Sequence, residues 1–255
     1  MVELGLIGYP LGHSYSARYF NDKFKREGIE GHYALYPIPD IESLPGLLEQ
    51  RQELCGLNVT IPYKERVMRY LDDISDDAKE IGAVNVLSIR HDENGKRLLT
   101  GHNSDWRGFQ ESIATLLRPD ITSALILGTG GGSKAVGYAL SKLGLDLTFV
   151  SRNCKDTTGR RVISYEDLND DTVSKNMLIV NTTPLGMFPD TESAPDIPYD
   201  KITGCHICYD LIYNPEETKF MRICRESGAV VMNGLEMLRL QAEYAWAIWC
   251  ESCGR

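Results

Sequence analysis

The chain has 255 residues, 42% of them hydrophobic and 25% charged, with a formal net charge of −9. That length holds one large domain or two small ones with real cores. No apolar run reaches the roughly 20 residues of a membrane helix, and the acidic balance argues against broad nucleic-acid binding, which needs a basic footprint. The first eight residues lack the basic and long apolar regions of a signal peptide, so a cytoplasmic protein is expected. Residues 2–8 read as a strand closed by Gly8-Tyr9-Pro10. Residues 14–28 read as a helix that opens on good N-cap residues, places Tyr19, Phe20 and Phe24 on one face, and ends at Gly28. A strand over 33–37, a helix over 41–53 interrupted near Pro45 and Gly46, and a strand over 56–60 follow. The order β-α-β-α-β implies parallel strands with helical crossovers.

The next stretch, Asn58-Val59-Thr60-Ile61-Pro62-Tyr63-Lys64, delivers an amide, a hydroxyl and an amine at a strand end. Open α/β sheets place their ligands at that end. Pro62 reads as the opening of a short helix over 63–71, since its missing N–H has no helical partner there. A second short helix is expected over 75–81. Strands over 84–90 and 97–100 flank Asn94-Gly95, a hairpin signal. A polar loop over 101–108 leads into a helix to about residue 117.

A second alternating set begins at 123–127. The run Gly128-Thr129-Gly130-Gly131-Gly132-Ser133 lies between that strand and a helix to about residue 144. Glycines there let the backbone turn tightly and approach a pyrophosphate seated on the helix N-terminus; Ser133 stands where the third glycine of G-x-G-x-x-G would be. The next strand, over 146–150, ends in Ser151-Arg152-Asn153-Cys154-Lys155. An NAD enzyme would carry an acidic residue near this point. Arg152 suits a 2′-phosphate instead, so NADP is the expected cofactor. Further strands are expected over 177–180, 207–212 and 229–232, with helices over 215–228 and 235–249. The polar turn Asn181-Thr182-Thr183-Pro184-Leu185-Gly186-Met187 follows one of those strands and can line the cofactor crevice.

Seven cysteines in a chain with no export signal do not suggest a disulfide framework. Cys205/Cys208 and Cys250/Cys253 form two C-x-x-C pairs. The first leads into an expected strand, where residues three apart point to opposite faces, so no metal site is expected. Gly12-His13-Ser14-Tyr15-Ser16 lacks the closing glycine of a nucleophile elbow. His13 and His102 are weaker acid/base candidates than Lys64, for which Asp105 offers a partner carboxylate. The hydroxyls and amides of Ser14, Ser16, Asn58, Thr60, Asn85 and Ser104 suit a polyhydroxylated substrate.

Taken in order, these residues resemble the shikimate dehydrogenase family, over residues 8–241. Gly12-His-Ser-x-Ser16 resembles the family's serine pair for the substrate carboxylate. Asn58-Val-Thr-x-Pro-x-Lys64 resembles its catalytic turn, with Lys64 as the catalytic lysine and Asn58 and Thr60 at the substrate. Gly82-Ala-Val-Asn85 resembles a stretch whose Asn binds substrate. Asn103-Ser-Asp105 is similar to Asn-Thr-Asp, with Asp105 as the partner carboxylate. In Tyr209-Asp-Leu-Ile-Tyr213, Tyr213 corresponds to a substrate contact and Leu211 borders the cofactor. In Asn233-Gly-Leu-x-Met-Leu238, Gly234 corresponds to a cofactor contact, and Gln241 to a substrate contact. Asp76 matches a cofactor position by spacing.

The cofactor set implied is therefore Asp76, Gly128, Thr129, Gly130, Gly131, Gly132, Ser151, Arg152, Asn153, Lys155, Thr182, Leu211 and Gly234. The chain departs from the family at Ala17 and Tyr19 (usually Pro and His), at Ser104 and Thr129, and in the Ser151–Asp156 loop. The resemblance implies an α/β enzyme with a mixed, mainly parallel substrate and catalytic domain over 1–104, joined by a returning helix over 235–255. A Rossmann-like NADP domain over 105–234 completes it, with a cleft between the two. The implied reaction is NADPH-dependent reduction of 3-dehydroshikimate to shikimate in aromatic amino-acid biosynthesis, by a monomer or homodimer with no nucleic-acid or membrane partner. The alternatives are an NAD-preferring quinate/shikimate dehydrogenase and a non-catalytic sensor of a small hydroxy-acid.

Overall fold

The computed structural model describes residues 1–12, 14–152 and 159–253. The chain divides into two units, Met1–Ser104 with Ala242–Arg255, and Asp105–Gln241.

In the first unit, β1 (Val2–Gly8) is followed by α1 (Tyr15–Glu27) and β2 (Gly31–Pro37). Ser14 caps α1, its side chain accepting from the Ala17 N–H, and Gly28 ends it in the left-handed region at φ 66°. Phe20 and Phe24 bury the helix face against the sheet, with Tyr19 half-buried beside them. A 3-10 turn (Ile41–Ser43) runs into α2 (Leu44–Gln50), which tolerates Pro45 because it lies in the first turn. Then come β3 (Leu54–Val59), β4 (Asp73–Ile74), α3 (Asp76–Ile81), β5 (Val86–His91) and β6 (Arg97–His102). The strand order is β2-β1-β3-β5-β6-β4. The strands β2, β1 and β3 run parallel, β5 runs antiparallel to β3, and β5–β6 is the hairpin around Asn94-Gly95. Side chains of β1 alternate between cores: Leu4 and Leu6 face α1, and Ile7 joins the cluster under α2.

The second unit contains α4 (Asp105–Ala114), β7 (Ser123–Leu127), α5 (Gly131–Lys142), β8 (Asp146–Val150), β9 (Val162–Ile163), α6 (Asp170–Lys175), β10 (Leu178–Asn181), β11 (Ile207–Asp210), α7 (Lys219–Glu226), β12 (Val230–Met232) and the start of α8 (Leu235–Ser252). All its strands pair in parallel, in the order β12-β11-β10-β7-β8-β9. This is the doubly wound dinucleotide-binding order, whose switch point lies where β7 meets β10. After Ser123, strand β7 is apolar because both faces are covered: Ala124 and Ile126 on one side, Leu125 and Leu127 on the other.

The division between units falls within α8, after Gln241. The C-terminal part of α8 packs on the first sheet through Trp249, whose Nε1 donates to the Leu87 carbonyl at 2.9 Å. A Cβ on Gly56 would stand 2.2 Å from that nitrogen, so only glycine fits under the indole.

Two sequence expectations change, and three short elements appear that were not expected. Pro62 does not open a helix. It sits after a cis Ile61–Pro62 bond in a turn closed by the Tyr63 N–H to the Thr60 carbonyl, and the 3-10 helix begins only at Arg66. Tyr63 is held out of that helix because it is fully buried and its hydroxyl donates to the Ile38 carbonyl at 2.6 Å. Helix α7 starts at Lys219, where Thr218 supplies the N-cap, rather than at residue 215. The short β4, β9 and α6 carry too few residues to show a period. Among the described residues, no helix is long and apolar enough to cross a membrane, and no group of three or more His, Cys, Asp or Glu could hold a metal ion. Cys205 is exposed in the turn before β11, and Cys208 is buried in that strand.

Candidate active site

In the first unit the candidate residues gather at one end of the sheet because the register aligns the strand ends. Leu6 pairs with Asn58, Asn58 with Val86, and Val86 with His102. The residues just beyond that row are Thr60, Asn85 and the pair Asn103-Ser104. Backbone bonds hold them: the Thr60 N–H to the Ile7 carbonyl, Val59 to Asn85, Asn85 to His102 and Val84 to the Lys64 carbonyl. Lys64 is half-buried, beside the anchored Tyr63.

The polar side chains form a chain of neutral bonds. The Tyr33 hydroxyl donates to Asn58 Oδ1 at 2.7 Å, and Asn58 Nδ2 donates to the Asn85 carbonyl at 3.2 Å. Asn85 Nδ2 donates to Ser104 Oγ at 2.9 Å, and the Ser104 N–H returns to Asn85 Oδ1 at 2.7 Å. Asn103 Nδ2 closes on the Ala83 carbonyl at 2.9 Å. All these side chains are buried, so each bond replaces water that the groups have lost. Burial pushes the Tyr33 phenol well above its ordinary range, with the Ser16 hydroxyl beside it acting against that. Ser16 is buried, and Ser14 accepts a backbone bond, which leaves its own hydroxyl proton to donate. The first turn of α1 holds no acidic residue, so its positive end is not neutralised locally. Burial lowers the pKa of the His102 imidazole, whose Nε2 lies 3.1 Å from Ser88 Oγ. Asp76 is fully exposed at the start of α3.

The second unit repeats the alignment. Leu127, Val150, Asn181 and Asp210, the last residues of β7, β8, β10 and β11, stand in one register row. The candidates are the residues that follow them: Gly128 to Gly132, Ser151 and Arg152, Thr182, and Leu211 with Tyr213. Gly128 has φ 109°, and a Cβ there would meet Thr182 Oγ1 at 2.7 Å. Thr182 in turn donates its hydroxyl to the Leu127 carbonyl at 2.6 Å. Ser133 ties the glycine loop back on itself by donating to the Gly128 carbonyl at 2.6 Å. Thr129 Oγ1 and Ser151 Oγ lie 3.3 Å apart, linking the loops after β7 and β8. Helix α5 has neither a side-chain N-cap nor an acidic residue in its first turn, so its leading N–H groups suit an anion. Gly234 is required by contact: its Cβ would lie 2.0 Å from the Leu211 carbonyl oxygen. Asp105 is buried as the first residue of α4, where the helix dipole favours a carboxylate. Gln241 is buried with its Nε2 on the Leu238 carbonyl at 3.0 Å, and Tyr213 is exposed. Asn153 and Lys155 lie outside the described residues, as does His13.

A family profile described as the shikimate dehydrogenase substrate binding domain matches residues 6–87. The shikimate dehydrogenase (NADP(+)) of Clostridium beijerinckii is 39% identical, over 97% of this chain and 91% of its own length. The chain belongs to the shikimate dehydrogenase family. The family's NADP(+) enzyme from Methanococcus maripaludis is 38% identical over 96% of this chain and 90% of its own. A solved shikimate 5-dehydrogenase from Thermus thermophilus, in complex with NADP(H) and shikimate, superposes with a TM-score of 0.85 at 31% identity, covering 98% of this chain and 94% of that one. The shikimate dehydrogenase architecture of a substrate domain plus a Rossmann-like domain is thus the architecture of this chain.

Three residues to which the motifs assign no role organise these sites. Tyr33 joins the neutral chain in the first unit. Asn181 and Asp210 form a hub in the second: Asp210 accepts from Asn181 Nδ2 at 3.1 Å, the Ile212 N–H at 3.0 Å and the Thr218 hydroxyl at 2.6 Å. Burial pushes the Asp210 carboxyl up to about 6 against the bonds from Thr218, Ile212 and Asn181, which favour its ionised form. The one available signal was position, since both Asn181 and Asp210 are polar residues closing apolar strands.

Proposed function

We infer that this chain is an NADP-dependent shikimate dehydrogenase, which reduces 3-dehydroshikimate to shikimate in the cytoplasm. The observation that supports this is the double alignment: Asn58, Thr60 and Asn85 in the first unit, and Gly128, Ser151, Thr182 and Leu211 in the second, lie at or just past the strand ends of one register row. The second unit fits the cofactor. Gly128 leaves the approach over Thr182 open, the leading N–H groups of α5 and Gly130 to Gly132 would receive the pyrophosphate, and Ser151 and Arg152, with Asn153 and Lys155, would receive the 2′-phosphate. Thr129, Thr182, Leu211, Gly234 and Asp76 complete the proposed contacts. When bound, NADPH supplies the hydride.

The chain's own residues do the rest. Lys64 gives a proton to the oxygen on which negative charge develops and, as a cation, stabilises that charge beforehand. Asp105 accepts from a substrate hydroxyl. Ser14 and Ser16 grip the carboxylate near the positive end of α1. Asn58, Thr60 and Asn85 in the first unit, and Tyr213 and Gln241 in the second, hold the ring hydroxyls.

The test is steady-state oxidation of shikimate with NADP+. Lys64→Ala is expected to lower kcat by about 10²–10⁴-fold while shikimate still binds. Near-normal turnover in that variant overturns the mechanism. Comparing kcat/KM for shikimate and quinate, each with NADP+ and NAD+, separates this reading from a quinate-directed, NAD-preferring enzyme. Binding of shikimate without oxidation would mark a sensor.

A further inference from the structure

We propose that Tyr33, which lies in none of the motifs, is a positioning residue for substrate binding: its hydroxyl sets the orientation of the Asn58 amide. The proposal rests on the functional reading above and adds a residue to it.

Tyr33 is immobilised on every side. It lies on β2, the edge strand of the first sheet, paired with Leu4 of β1. Asn21 of α1 satisfies its outward backbone groups: the Tyr33 N–H donates to Asn21 Oδ1 at 3.0 Å, and Asn21 Nδ2 donates to the Tyr33 carbonyl at 2.9 Å. That amide is itself fixed by a bond to the Ala17 carbonyl at 2.8 Å. The ring stacks on Phe20, centroid to centroid at 4.9 Å and 13°. A side chain held this way has little freedom left at its tip, and the tip is its only polar atom.

That atom reaches Asn58 of β3, on the far side of β1. The buried phenol stays protonated and donates, so it faces the amide oxygen of Asn58. The Asn58 Nδ2 then points to the Asn85 carbonyl, and the two bonds agree on which end is which. Among the described residues this commits one of the two Nδ2 protons and leaves the other for a ligand hydroxyl. One hydroxyl thus bears on two candidate substrate residues, Asn58 directly and Asn85 through it.

The test compares Tyr33→Phe, Asn58→Ala and the double variant in the full chain, with KM for shikimate, KM for NADP+ and Tm as readouts. Tyr33→Phe is expected to raise KM for shikimate about tenfold, the effect of one well-placed hydrogen bond, and to leave KM for NADP+ within about twofold. In the Asn58→Ala background, Tyr33→Phe should have little further effect, because its action passes through that amide. Equal changes in both KM values with a lowered Tm would make Tyr33 a packing residue and overturn the proposal. Full additivity in the double variant would also overturn it. An unchanged KM in Tyr33→Phe, with a wild type active on shikimate, overturns this assignment alone. A wild type that neither binds nor oxidises shikimate overturns the functional reading and the assignment with it.

Discussion

At the end of the first sheet, the side chains that bind strand to strand are neutral: a phenol, three amides and a serine hydroxyl, passing bonds along Tyr33, Asn58, Asn85 and Ser104, with Asn103 alongside. At the end of the second sheet, they converge on one carboxylate, with Asn181, Thr218 and the Ile212 N–H all donating to Asp210. A chain of neutral groups needs every link satisfied, yet no link carries a large desolvation cost. A charged hub fixes three elements at once, at the cost of burying an ionised group above its pKa. The two sheet ends therefore solve the same task, holding the loops that follow their strands, and only the second does so through a carboxyl that titrates near 6.

The largest effect should follow from removing the hub. Asp210→Ala leaves three buried donors without an acceptor and is expected to cost on the order of 3–5 kcal/mol. Hydrogen exchange should show β10, β11 and α7 losing protection while β1, β3 and β5 keep theirs. Loss spread evenly over both sheets would dissolve the contrast.

The next effect is in pH. Because the folded Asp210 carboxyl titrates near 6 and the unfolded one near 3.8, the folded state holds more protons across that interval. Its contribution to stability therefore falls as pH rises from about 4 to 6 and is level above. Measured against Asp210→Asn, the wild type should lose roughly 3 kcal/mol of relative stability over that window, read from urea unfolding at a series of pH values. A flat difference would mean the carboxyl is not desolvated as its burial implies.

Loading the neutral unit instead should leave the hub untouched. Gly56→Ala forces a methyl against Trp249 and the Leu87 carbonyl and is expected to cost about 1–3 kcal/mol, with lost exchange protection confined to β3, β5 and the end of α8. The smallest expected effect is that of Ser133→Ala, which removes the bond to the Gly128 carbonyl. KM for NADP+ should rise about threefold while KM for shikimate stays constant.

Much of the fold was legible because local signals agreed with global ones. Ser14 and Gly28 bracket α1 by capping chemistry, and the glycine run between residues 123–127 and the next helix marks the end of β7. Lys64, Asp105 and the glycine loop could be singled out as candidates because residue type and position near strand ends and helix starts suggest their chemistry. Tyr33 and Asp210 were not, because their partners lie 25 and 29 residues away, and nothing in a tyrosine or aspartate on a strand announces a distant amide. Pro62 misled for a related reason: a proline before an amphipathic run favours a helix start, but burial of Tyr63 under the Ile38 carbonyl outweighs that preference.

The indole of Trp249 over Gly56 also bears on how the protein is made. The sheet of the first unit leaves the ribosome well before the piece that covers it, residues 242–253. The second unit is continuous and complete before them. At typical synthesis rates the gap is on the order of ten seconds. During that time the nascent first sheet offers an open apolar face, around Val86 and Phe24, to whatever chaperone or neighbouring chain reaches it before its own C-terminal helix does.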